Sequence, residues 1–307
     1  MVHESTAFTA LRGTLTRDLP LARYTSWRCG GSGDRVYVPA DRDDLVTFVR
    51  QLPAAEPLTI IGLGSNLLIR DGGVRGTVMV MHAALNAIEL RGPLIYAQGG
   101  VASPKVARFA AMRGLAGAEF LAGIPGTVGG ALAMNAGCYG GETWSFVARV
   151  EVVTRAGSIE ERLPSAYAIG YRKARSVDGG ASNDIFSAAW FDFPEGDGQA
   201  ARERIAELLR WRGATQPLNL PNAGSVFRNP PGDYAARLIE SSGLKGYTVG
   251  GASVSEKHAN FIVNPQGRAL AADIETIIGH VRETVRVRTG VELEPEVRVI
   301  GARVRAE

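Results

Sequence analysis

The chain has 307 residues, 45% of them hydrophobic and 21% charged, a balance that excludes a disordered chain and needs more than one core. Its 34 basic and 31 acidic residues leave a formal charge of +3, too small for a basic stripe, so no nucleic-acid partner is expected. Two cysteines (Cys29, Cys138) and four histidines without a shared ligand spacing exclude a disulfide framework and argue against a zinc site.

In chain order, residues Met1 to Arg12 include Glu4 and lack a long apolar run, so no signal peptide is expected. Arg35 to Pro39 alternates like a strand, and Leu58 to Ile61 and Gly76 to Met81 read as buried strands. Between them Asp43 to Leu52 has the period of a helix, with Leu45, Phe48 and Val49 inward. A second helix is predicted to start at Ser103 as N-cap, with Pro104 at its first position and Gly114 as its stop. Phe120 to Gly141 carries no charge and is long enough to span a bilayer, but its glycines, Pro125 and Asn135 would strand backbone groups in lipid. No membrane insertion is expected, and the location is read as cytoplasmic. Val177 to Asn183 reads as a surface loop, Ile185 to Phe191 as a strand and Pro194 to Gly198 as a linker. Helices follow at Ala201 to Trp211, Tyr234 to Ser242 and Asp273 to Thr289, then an alternating strand from Val291 to Ile300.

Glycine, at 38 residues, is concentrated where a ligand would approach the backbone. Gly62-Leu63-Gly64-Ser65-Asn66 follows an apolar strand, a placement that can turn several N–H groups toward phosphate oxygens. It is neither G-x-G-x-x-G, because Leu67 occupies the third glycine position, nor a P-loop. The segment Gly123-Ile124-Pro125-Gly126-Thr127-Val128-Gly129-Gly130, then Asn135-Ala136-Gly137, suits close approach to an anionic or flat ligand. A plain tight turn is the competing reading of the first loop.

These segments resemble the UDP-N-acetylenolpyruvoylglucosamine reductase family. The resemblance also takes in Tyr24-Thr25-Ser26-Trp27-Arg28-Cys29-Gly30-Gly31, Tyr171-Arg172, Asn222 to Pro230, Ser255 to Phe261 and Leu293 to Arg298, and runs from about residue 20 to 301. It implies an α+β protein: a two-lobed FAD-binding domain of the PCMH/VAO type and a C-terminal α+β substrate domain. The division expected is lobe 1 at 1–85, lobe 2 at 86–198 and the UDP-sugar domain at 199–307. It implies noncovalent FAD, NADPH as co-substrate, and reduction of the enolpyruvyl ether to UDP-N-acetylmuramate in peptidoglycan synthesis. FAD contacts are expected at Tyr24, Thr25, Gly62, Gly64, Ser65, Asn66, Gly123, Pro125, Gly126, Thr127, Gly129, Gly130, Asn135, Ala136 and Gly137. Lys173-Ala174 departs from the family's usual x-Ser after the arginine, and the short spacing from Arg172 to Ser225 suggests the type without a tyrosine closing loop.

The chemistry asks for a cation that grips the carboxylate, a proton donor to carbon and a carboxyl that polarises the enolate. The resemblance assigns these to Arg172, Ser225 and Glu296. On the residues alone, Arg172 reads as a surface arginine, Ser225 as a turn serine, and Glu296 as one of three solvent-facing glutamates beside Glu292 and Glu294. Pro295 interrupts the ladder and suggests an edge or bulge that could re-aim Glu296. Asn229, Lys257 and His258 are candidates for substrate contact, while Tyr139 and Glu142 receive no assignment. The alternatives are another FAD oxidoreductase on the same flavin domain and a sugar-nucleotide-binding module without flavin.

Overall fold

A computed structural model describes residues 8–82, 84–177 and 184–304. The loop expected at Val177 to Asn183 falls, beyond Val177, outside the described residues, as does most of the N-terminal stretch examined for a signal peptide. Six α-helices are described: α1 (Arg42–Gln51), α2 (Ser103–Met112), α3 (Val128–Met134), α4 (Gly198–Thr215), α5 (Ala235–Ser241) and α6 (Ala271–Thr289). Among the described residues no helix is long and apolar enough to cross a membrane, and no group of three His, Cys, Asp or Glu could hold a metal ion.

The chain forms two compact units. The first comprises Met1–Thr16, Val36–Gly62 and Thr77–Arg202, and the second Arg17–Arg35, Leu63–Gly76 and Glu203–Glu307. The sequence division at 85 and 198 follows chain order, whereas two early segments here group with the C-terminal residues.

In the first unit, Leu58–Ile61 and Val74–Val80 pair in parallel from Leu58↔Thr77 to Ile61↔Val80. A five-stranded antiparallel sheet follows, in the order Ile159–Arg162, Val147–Val153, Ile185–Phe191, Leu94–Gln98, Ile88–Arg91. Asp41 starts α1 by accepting from the Asp44 amide at 3.0 Å, one residue before the predicted start. Leu45, Phe48 and Val49 then face a core with Tyr37, Met79, Val153 and Ile185, and Tyr37 stacks on Phe48 at 3.9 Å between ring centres. Two further helix starts in this unit differ from expectation. Ser103 is the first helical residue of α2, with Ala102 at the cap, and its buried hydroxyl finds no partner among the described residues. Asp197 accepts from Gln199 and Ala200, so the predicted linker ends in a capped helix start and α4 is longer than the pattern from Ala201 to Trp211.

In the second unit, α6 buries Ile274, Ile277, Ile278, Val281 and Val285 against Trp27, Leu68, Phe227, Leu238 and Leu293. Each fully buried side chain of this kind contributes roughly 1.5–3 kcal/mol. The early segments belong here for that reason: Trp27 is fully buried and its indole N–H donates to the Ile262 carbonyl at 2.7 Å. Asp71 accepts from both Ala271 and Ala272 at 2.9 Å and so caps α6 from far away in the chain. Thr248–Val249, Ala252–Val254 and Ile262–Val263 form a small antiparallel sheet. The predicted strand from Val291 is shorter than expected. Only Arg298–Ile300 is a strand, parallel to Leu67–Ile69, because Pro295 cannot donate to a ladder.

Candidate active site

Each unit carries part of the predicted constellation. In the first, the glycine segment after Gly123 leads into α3, whose N-cap Thr127 accepts from the Gly130 amide at 3.3 Å. Gly62 has no room for a side chain, since a Cβ there would lie 2.4 Å from the Thr127 hydroxyl. Val128 donates to Val101 and Gly129 to Gly99, each at 2.8 Å, so these amides are used internally. The N–H groups of Gly126 and Thr127 find no acceptor among the described residues. In the second unit the amides of Leu63, Gly64 and Ser65 likewise find none. There Gly64 adopts φ +62° with its α-carbon tight against the Tyr24 carbonyl, while Thr25 is buried and donates to Cys29. Successive amides without an acceptor among the described residues are the donor set that a diphosphate needs, so the residues present fit FAD. Pro125 and Gly130 are exposed, and Ala136 is buried with its carbonyl accepting from Thr143.

Beyond α3 the first unit gathers a polar cluster. Asn135, fully buried, ends α3 in the left-handed conformation at φ +46°. Its amide nitrogen donates to Glu142 Oε2 at 2.9 Å and to the Gly170 carbonyl at 3.1 Å, and its oxygen accepts from the Trp144 amide at 3.1 Å. Gly170 precedes the two-residue turn Tyr171–Arg172 of the hairpin Tyr167–Gly170/Lys173–Ser176. Arg172 sits at φ +53° and donates to the Gly137 carbonyl at 2.9 Å. Tyr139, at φ +53°, is a third non-glycine residue in this conformation, which costs roughly 1–2 kcal/mol per residue. Three of the six described non-glycine residues at positive φ thus fall in this cluster, the others being Ala10, Asp18 and Arg28.

In the second unit Ser225 and Glu296 lie on adjoining backbone segments. Phe227 bridges Pro295 in antiparallel fashion, Arg228 donates to the Glu294 carbonyl, and Glu296 and Val297 both donate to the Val226 carbonyl, at 2.8 and 3.4 Å. Two amides aimed at one carbonyl make the bulge that Pro295 suggested. Its effect is selective: Glu292 and Glu294 are exposed, while Glu296 is half-buried. Asn260 braces the opposite edge, its side chain exchanging hydrogen bonds with Phe227 N and O at 2.9 and 2.8 Å. Gly224 turns the chain into Ser225 at φ +73°, its amide held by Asn222 Oδ1 at 2.9 Å. Asn66 donates to the Glu296 carbonyl at 3.2 Å, so it also supports this edge.

The remaining candidates have structural engagements. Asn229 Oδ1 accepts from the Ala235 amide and so caps α5. Lys257 Nζ donates to the Gly213 carbonyl at 2.6 Å. His258 Nδ1 accepts from the Asn260 amide and its ring meets Phe261 edge-on; burial is the main cause that pushes its pKa down, which favours the neutral ring. Glu142, which the sequence left unassigned, joins the Arg172 cluster. No local pattern in the sequence signalled it.

Residues 33–162 match the FAD binding domain family, and residues 216–300 match the family described as the C-terminal domain of UDP-N-acetylenolpyruvoylglucosamine reductase. A chain that joins these two domains is an FAD-dependent oxidoreductase. It is 54% identical to the UDP-N-acetylenolpyruvoylglucosamine reductase of Nitrosospira multiformis, over 100% of this chain and 94% of that protein. Against the enzyme of the same name from Methylococcus capsulatus it is 57% identical over 98% of each chain. The crystal structure of UDP-N-acetylenolpyruvylglucosamine reductase (MurB) from Thermus caldophilus superposes with a TM-score of 0.79 at 33% identity, covering 94% of this chain and 99% of that one. The chain belongs to the UDP-N-acetylenolpyruvoylglucosamine reductase family.

Proposed function

We propose that the chain reduces the enolpyruvyl ether of UDP-N-acetylenolpyruvoylglucosamine to UDP-N-acetylmuramate, with NADPH as reductant, as a cytoplasmic step of peptidoglycan synthesis. When bound, FAD would supply the two-electron redox chemistry that links NADPH to the enolpyruvyl double bond. The amides at Leu63, Gly64 and Ser65, and separately those at Gly126 and Thr127, are each candidate donors to its phosphates, within lobes proposed at 1–85 and 86–198. The sugar nucleotide would be held by 199–307, with contacts at Asn229, Lys257 and His258.

Hydride addition places negative charge on the α-carbon and its carboxylate. Arg172 stabilises that charge, because a guanidinium stays ionised and grips two oxygens with a rigid fork. Ser225 delivers the proton to carbon, and Glu296 polarises the enolate beside it. The observation that carries this assignment is the bulge at Pro295, which draws Glu296 out of the exposed row and onto the segment of Ser225. The test is anaerobic: NADPH should bleach the flavin, and the enolpyruvyl sugar nucleotide should restore its colour with one equivalent of the lactyl ether formed. Reduced flavin that the sugar nucleotide leaves reduced would overturn the reading.

A further inference from the structure

Arg172 is held by a clamp that reaches it from the end of α3. Gly170, just before the turn, takes a hydrogen bond from Asn135 at 3.1 Å, and Arg172, its last residue, gives one to Gly137 at 2.9 Å. Two residues of one short segment, Asn135 and Gly137, thus fasten two residues of the hairpin tip. Asn135 has both its donors and its acceptor engaged, with Glu142, Gly170 and Trp144, so its side chain serves this clamp. Glu142 fixes the orientation of that amide. Its carboxylate accepts one amide hydrogen, which directs the other at Gly170 and leaves the amide oxygen for Trp144. Gly137 pairs with Glu142 in a short antiparallel strand pair, and a Cβ at Gly137 would lie 3.1 Å from both the Arg172 guanidinium and the Glu142 side chain. The cluster is therefore packed as well as bonded.

We infer that Glu142 and Asn135 are positioning residues for Arg172, holding its strained turn so that the guanidinium is pre-set for a carboxylate. The inference rests on the proposed role of Arg172 in the reaction. Misplacing a charged group by about 1 Å costs up to about 10²-fold in rate, which sets the scale of the effect.

The test uses the flavin-loaded enzyme. Glu142→Ala should slow reoxidation of pre-reduced flavin by the enolpyruvyl sugar nucleotide by about 10- to 100-fold, with flavin reduction by NADPH nearly unchanged. Glu142→Gln should recover most of the loss, because its amide oxygen still accepts from Asn135. In an Arg172→Ala background Glu142→Ala should add little further, since both changes act on one element. Asn135→Gly, which keeps the left-handed backbone without the side chain, should slow the same reoxidation step to a similar degree. Amide hydrogen exchange of residues 167–176 supplies a readout independent of activity: it should accelerate in Glu142→Ala and Asn135→Gly and stay slow in Glu142→Gln. Normal exchange in both variants overturns the clamp, as does full additivity with Arg172→Ala. A clamp intact by exchange in an enzyme that does not turn over the sugar nucleotide would instead point to failure of the functional reading.

Discussion

Glu296 donates its backbone amide to the carbonyl of Val226 at 2.8 Å, which places its residue beside the one that follows Ser225. The serine and the carboxyl are thus coupled through backbone, and neither depends on the other's side chain for its place. Their contributions should be separable by mutation.

Ser225→Ala should leave flavin reduction by NADPH within a few-fold of normal, because that half-reaction delivers no proton to substrate carbon. Reoxidation by the enolpyruvyl sugar should fall by more than the ~10²–10⁴ usual for a lost general acid, since water protonates carbon poorly. Ser225→Cys should retain part of the rate. Single-turnover reoxidation decides it, and a wild-type rate in Ser225→Ala would reduce Ser225 to a turn residue.

Flavin should leave the denatured protein completely. Cys29 is buried and its thiol is pushed up to about 12, chiefly by burial, so it is no nucleophile. The glycine segment from Gly123 to Gly137 contains neither Cys nor His. Acid precipitation should give a colourless pellet and a yellow supernatant, and colour retained in the pellet would refute noncovalent binding.

NADPH and the sugar nucleotide should use one site in turn, because the chain carries no second dinucleotide fingerprint. Initial rates should give parallel lines in double-reciprocal plots, with inhibition by excess substrate. Intersecting lines would mean a ternary complex.

The acid limb of stability should carry the signature of Glu275. Arg70 binds this carboxylate through two nitrogens, at 2.9 and 3.0 Å, and Arg303 adds a third contact at 2.6 Å. The hydrogen bonds from Arg70, outweighing burial, which acts in the opposite direction, hold its pKa at about 2, below the ordinary 4.5. A carboxyl depressed on folding adds stability above its unfolded pKa and loses it as pH falls from about 4.5 toward 2. Allowing for solvent screening, Glu275→Gln should cost ~1–2 kcal/mol at pH 6 and progressively less at pH 3, measured by urea unfolding. An equal cost at both values would assign the loss to packing.

What the sequence made legible was local. The period of α6, the apolar runs of the parallel pair and the glycine loops all lie within short windows, where hydrophobic spacing and turn chemistry act. Pro295 was legible as a break, and the bulge is its direct result. The assignments of Arg172, Ser225 and Glu296 needed the family resemblance, since in isolation the bland reading of each is the better one. What escaped was closure through space. Ser103 looks like a cap, yet Ala102 takes that position and the hydroxyl has no partner among the described residues. Nothing local shows that Asn135 spends its side chain on Glu142 and Gly170, the latter 35 residues away. Nor does a strand pattern reveal that Trp27 is buried under Ile262.

The cap that Asp71 places on α6 has a consequence for how the chain is made. The helix it caps begins 200 residues later, so on a ribosome the second unit has its first pieces long before its last. Trp27, Leu68 and Asp71 wait, unburied, until α6 has emerged, and a contact set of such long range closes slowly and late. A chain stopped before residue 271 should therefore display Trp27 to solvent and to chaperones. A fragment limited to residues 216–300, though it spans the matched C-terminal domain, would lack the tryptophan around which that domain packs.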